Sequence, residues 1–110
     1  LRMNMTLVFS VSQAILCSLA GATYVSPFVG RMDDNSLDGV KLINDICNVF
    51  TSNSVKTKVL AASLRDVQSV GVAFGVGADI CTIPPKVFDN MSSHVLTDKG
   101  LELFAADFLA

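Results

Sequence analysis

Apolar positions come in alternating blocks of two kinds along this chain. Met5 to Phe9 is a short, nearly continuous apolar run, and Val11 to Leu19 then carries apolar residues at helical spacing and stops at Ala20-Gly21. The pattern predicts one strand followed by one helix. Thr23 to Ser26 is the next β-rich run; after a polar turn, Gly39 to Phe50 places Val40, Ile43, Ile46, Cys47 and Phe50 on one helical face. A third pass runs from Lys58 to Ser63, through Asp66 as N-cap, into a helix whose stripe is Val67, Val70, Gly71 and Phe74. Ala78 to Ile83 begins a fourth strand that Pro84-Pro85 ends. A short helix over Lys86 to Met91 follows, then a last helix capped by Thr97 with Leu101, Phe104 and Phe108 inward.

Four βα units joined by short loops predict an α/β fold with parallel strands and right-handed crossovers. Four such units make half of a (β/α)8 barrel. The 110 residues form one domain at most, and the near-continuous apolar runs, with a mean hydropathy of +0.53, fit strands buried on both faces. No sequence identity between the units, linker or low-complexity segment is evident.

Charge narrows the partners. Eight basic residues against ten acidic ones, with no basic run, argue against nucleic acid and lipid surfaces. Cys17, Cys47 and Cys81 are odd in number and widely spaced inside apolar patterns, so they read as reduced core thiols. Polar residues from Asn4 to Gln13 interrupt the N-terminal apolar stretch before it reaches membrane-spanning length. A soluble cytoplasmic protein is expected.

In such a barrel the chemistry gathers where strands end, so the polar residues closing each run are the informative ones. Asn4 and Thr6, two apart, share one face of the first strand; satisfaction by the backbone is the alternative reading. The second strand ends in Ser26-Pro27-Phe28-Val29-Gly30-Arg31, the third in Ser63-Leu64-Arg65. Two Ser-plus-Arg pairs on neighbouring parallel strands can converge on one anion, because guanidinium groups donate paired hydrogen bonds to phosphate oxygens. Each arginine alone reads equally as a solvated loop residue. Asp33, Asp34 and Asp38 lack the spacing of an oxygen-ligand metal loop, and His94 has no evident partner, so no metal site is expected.

Three segments, Asn4 to Ser10 with Gln13, Ala22 to Arg31, and Val59 to Ser63, resemble strands five, six and seven of transaldolases. Ile83 to Lys86 and Leu96 to Glu102 resemble the end of the small single-domain members, the group that includes fructose-6-phosphate aldolase. The resemblance implies transfer of a dihydroxyacetone unit between sugar phosphates through a lysine Schiff base, without a cofactor. By position, Asn4 and Thr6 would contact the intermediate and its catalytic water, and Ser26, Arg31, Ser63 and Arg65 would hold the substrate phosphate. Phe28 stands where aldolase members carry tyrosine, which favours transfer over simple cleavage.

The family's Schiff-base lysine belongs to strand four and its acidic partners to strands one and three, all N-terminal to Leu1. None of Lys41, Lys56, Lys58, Lys86 or Lys99 has the desolvated or cation-flanked setting an amine nucleophile needs. This chain is therefore expected to be the phosphate-binding half of a complete transaldolase, inactive alone. The alternatives are a catalytically silent sugar-phosphate-binding or structural half-barrel, or a fructose-6-phosphate aldolase. Two open sheet edges predict either an N-terminal half-barrel partner or self-association into a homo-oligomer.

Overall fold

A computed structural model describes residues 2–109, with side chains through residue 106. Four parallel strands, β1 (Asn4–Val8), β2 (Tyr24–Pro27), β3 (Lys58–Ala61) and β4 (Ile80–Cys81), pair in sequence order. The helices are α1 (Val11–Leu19), α2 (Val29–Asp34), α3 (Gly39–Ser52), α4 (Val67–Gly75), α5 (Pro85–Asn90) and α6 (Val95–Leu109). Sequential order with right-handed crossovers sends every crossover helix to the same face, as in a barrel wall. The architecture is thus the expected part of a (β/α)8 barrel.

The core lies between that face and the helices. Val25 and Val59 pair in register and are buried under Ile43, Ile46 and Phe50 of α3. Asp38 starts α3 by accepting from the amide of Lys41 at 3.0 Å, while Asp33 accepts from the amide of Gly39 at 3.2 Å. Two amides that the helix leaves without partners are satisfied in this way. Asp66 caps α4 as expected, accepting from Ser69 at 2.7 Å.

Several expectations are corrected. The segment after β2 is not a polar turn but a helix, α2. The α4 stripe is Val70 and Ala73, whereas Val67 and Phe74 are 40% and 49% exposed and Gly71 is open to solvent. β4 is two residues long, not six, and β3 stops at Ala61 because the backbone turns left-handed at Ser63 (φ 60°). His94 caps α6, its Nδ1 accepting from the amide of Leu96 at 3.0 Å, so Thr97 lies inside the helix. Leu101 and Phe104 are 60% and 71% exposed, since their apolar positions meet no facing layer among the described residues. Phe108's side chain lies outside those residues.

Candidate functional site at the strand ends

Residues at the C-terminal ends of β1, β2 and β3 are drawn together by backbone contacts. Phe28 bridges Ala62, and the amides of Val29 and Gly30 donate to the carbonyls of Ala62 and Ser63 at 2.9 and 3.0 Å. Phe28, the residue capping α2, offers no side-chain acceptor; β3 supplies the acceptors instead. α2 is therefore tied directly to the end of the neighbouring strand.

Two glycines permit the close packing around α2, Gly39 at the start of α3 and Gly30 against the end of β3. A Cβ on Gly39 would stand 2.7 Å from the carbonyl oxygen of Val29, and a Cβ on Gly30 would stand 2.7 Å from Ser63 Oγ and 2.6 Å from Arg65 Nε. Because Gly30 has no side chain, the Ser63 hydroxyl and the Arg65 guanidinium pack together against its α-carbon. Ser63 holds a left-handed backbone that serine seldom adopts, and such strain concentrates at sites where a side chain must be aimed.

Arg31 and Arg65 are both exposed, and each is held by a neighbour. The Arg31 guanidinium lies 5.4 Å from the centre of the Phe28 ring, whose edge meets Phe9 at 6.4 Å between centroids. Arg65 Nη1 donates to Asp34 Oδ1 on α2, and the hydrogen bond and charge of Asp34 raise the Arg65 pKa further above its ordinary value. Arg31 also borders a cavity of about 350 Å³ with Phe9, Met32, Asn35 and Leu37.

On the helix-free face, Thr6 pairs in register with Ser26, and Ser26 Oγ donates to Asn4 Oδ1 at 2.6 Å. Ser26 is 2% exposed and its hydroxyl is engaged with Asn4, while Asn4 and Thr6 are open to solvent. Beyond Thr6 the β1 register slips at Leu7, which takes a left-handed φ of 56°, a bulge of the kind found where a strand end is re-aimed. The structure thus brings Asn4, Thr6 and Ser26 into one group, and Ser63 and Arg65 into a second group around Gly30. Arg31 stands with Phe28 on the opening turn of α2.

Sequence reasoning missed Gly30, Asp34 and Phe9. Gly30 sits within the Ser-Pro-Phe-Val-Gly-Arg motif and could have been flagged as a point of close backbone approach. Asp34 carries no motif of its own, and no local spacing connects it to Arg65, thirty-one residues away. A second cavity of about 210 Å³, lined by Cys47, Phe50, Lys56, Lys58, Gly77 and Asp79, opens at the opposite ends of the strands. In barrels that end serves stability more than chemistry.

Among solved structures, the fold is similar to a mandelate oxidase with benzoyl-formic acid, with a TM-score of 0.59 and 19% identity over 76% of this chain and 25% of that one. A likeness at that identity concerns the fold alone. In sequence, a probable transaldolase of Symbiobacterium thermophilum is 52% identical over 109 residues, 99% of this chain and 50% of the relative. Probable transaldolases of Cereibacter sphaeroides and Caulobacter vibrioides are 52% and 50% identical over 96% and 98% of this chain. The chain spans about half the length of the curated relatives it matches. The family described as Transaldolase/Fructose-6-phosphate aldolase matches residues 1–109, and the chain belongs to that family.

Proposed function

We infer that this chain is the phosphate-binding half of a transaldolase, its strands corresponding to strands five to eight of the family barrel. The observation that carries the reading is the convergence of Ser63 Oγ and Arg65 Nε over the α-carbon of Gly30, at the C-terminal end of β3. Serine and arginine donors beside a backbone that lacks a side chain suit a phosphate, whose oxygens accept several charge-assisted hydrogen bonds. Arg31 adds a second cation from α2. Ser26, buried and donating to Asn4, would act in this reading through Asn4 or after rotating its hydroxyl toward the anion.

Chemistry on the carbonyl would come from the lysine that transaldolases carry on strand four. Its amine would condense with the ketose carbonyl, expelling water, and retro-aldol cleavage of the adjacent carbon–carbon bond would release the donor's aldose phosphate. The dihydroxyacetone unit left on the amine would form a new carbon–carbon bond with an acceptor aldose phosphate before water hydrolyses the imine. Asn4 and Thr6, side by side on the helix-free face, would hydrogen-bond that unit and the water that hydrolyses the imine. Every lysine of this chain is exposed, and Lys41 pairs with Asp45, which raises its pKa, the opposite of what a nucleophilic amine needs. Phe28 offers a ring with no hydroxyl, which favours transfer over plain aldol cleavage.

The same reading requires cover for β1. Met3, Met5 and Leu7 are 42%, 40% and 46% exposed along a sheet edge with open backbone groups. An N-terminal half-barrel or a second copy would close that edge, in a cytoplasmic setting.

Borohydride trapping with fructose 6-phosphate, read by intact mass, tests the division of labour. The chain alone is expected to give no adduct, and the complete barrel one adduct per barrel, on a lysine outside this chain. An adduct on Lys41, Lys56, Lys58, Lys86 or Lys99 would overturn it. Independently, Arg31→Ala with Arg65→Ala should weaken inorganic phosphate binding at least tenfold, as losing two charge-assisted contacts implies. Unchanged binding would remove the phosphate site.

A further inference from the structure

Arg65 leaves the end of β3 and crosses Gly30 before its guanidinium meets Asp34. Its Nε lies 2.6 Å, and Ser63 Oγ 2.7 Å, from the point where a Cβ on Gly30 would stand, so the two donors converge over one glycine. Nη1 donates to Asp34 Oδ1. A guanidinium can grip an anion with two parallel donors either through its Nη1–Nη2 end or through its Nε–Nη2 side. Asp34 takes the Nη1 corner and with it the end-on mode. The Nε–Nη2 side makes no hydrogen bond among the described residues, and its Nε packs beside Gly30 and Ser63 Oγ.

We propose that Asp34 is a positioning residue: it holds Arg65 so that the Nε–Nη2 side of the guanidinium, together with Ser63 Oγ, receives the phosphate of a sugar phosphate. The proposal rests on the phosphate-site reading above and assigns Asp34 a part in it. A long arginine side chain loses rotamer freedom when it orders around an anion, and one already tied to α2 has lost part of it on folding. The carboxylate offsets some of Arg65's attraction for phosphate, but Arg31 makes no ion pair among the described residues and lies over the uncharged Phe28 ring. Arg31 supplies the charge and Arg65 the direction. Asp33 does not share the task, since its Oδ1 accepts from the amide of Gly39 at the start of α3.

A double-mutant cycle on the 110-residue chain, with inorganic phosphate titrated at fixed ionic strength, tests the assignment. Asp34→Asn should weaken phosphate binding about threefold, the scale of a half-exposed ion pair, and Asp34→Glu should recover part of that loss. In an Arg65→Ala background, Asp34→Asn should change nothing. Tighter binding by Asp34→Asn would make the carboxylate a competitor of the ligand and overturn the proposal. An equal loss with and without Arg65 would overturn it too, because Asp34 would then act through something else. If Arg65→Ala itself leaves phosphate binding intact, the phosphate-site reading falls and the role of Asp34 falls with it. Melting temperatures of all variants separate these outcomes from unfolding.

Discussion

The backbone N–H of Gly30 donates to the carbonyl oxygen of Ser63 at 3.0 Å, joining the opening turn of α2 to the end of β3. The contact needs a residue without a side chain, because a methyl at Gly30 would run into the Ser63 carbonyl oxygen and lie 2.7 Å from its hydroxyl and 2.6 Å from Arg65 Nε. The Ser63 backbone cannot give way cheaply, being already left-handed. Gly30→Ala is therefore expected to destabilise the fold by about 1–3 kcal/mol and to weaken phosphate binding in the same variant. Urea unfolding and a phosphate titration check the two effects. Loss of stability with intact phosphate binding would separate α2 packing from the site.

Asn4 and Ser26 lend themselves to an asymmetric test. Ser26 Oγ is buried and donates to Asn4 Oδ1 at 2.6 Å, whereas Asn4 is exposed and water can replace its partner. Ser26→Ala should cost about 1 kcal/mol. Asn4→Ala should cost more, up to about 3 kcal/mol, because it strands a buried hydroxyl. Equal costs in chemical denaturation would mean that the Ser26 hydroxyl finds another acceptor.

How far these features could be read from sequence depends on the range of the interaction that sets them. The bounds of α1 and the Asp66 cap followed from local spacing and agree with the structure residue for residue. α2 escaped because its first amides are satisfied by the carbonyls of Ala62 and Ser63, so no capping side chain marks its start. The pairing of Arg65 with Asp34 escaped for the same reason, being set by strand order and not by spacing. Leu101 and Phe104 were placed inward on periodicity, which identifies the apolar face of a helix but not whether a facing layer lies within the chain. The residue types of the candidate site were legible from the motifs; their grouping into Asn4–Thr6–Ser26 and Gly30–Ser63–Arg65 required the fold.

Asp38 offers a test of what holds α3, the helix that covers β2 and β3. Its carboxylate accepts from the amide of Lys41 at 3.0 Å. Asp38→Ala should lower stability by about 1 kcal/mol, while Asp38→Asn, which keeps an acceptor oxygen, should be close to neutral. Denaturation midpoints check both, and equal losses in the two variants would point to charge and not to the cap.

Cys47 sets an alkaline limit. Burial, and to a lesser degree the charge of Asp79, pushes its thiol pKa up from 9.0 to about 11. The unfolded chain releases this proton near pH 9 while the folded chain keeps it until about pH 11. Through that window the folded state binds more protons, so stability declines as pH rises, and below it the thiol is neutral in both states and contributes no slope. Cys47→Ala should therefore flatten the fall in unfolding free energy between about pH 9 and 11, even though removing the sulfur lowers stability at every pH. Comparing the slopes and not the absolute values isolates the titration from the packing loss. In the wild-type chain near neutral pH, a thiolate-selective alkylating agent should leave Cys47 intact until the fold opens, because only the thiolate reacts and this one is both buried and protonated. Alkylation of Cys47 as fast as that of an unfolded control would mean that the α3 packing around it opens readily, and the alkaline slope should then vanish as well.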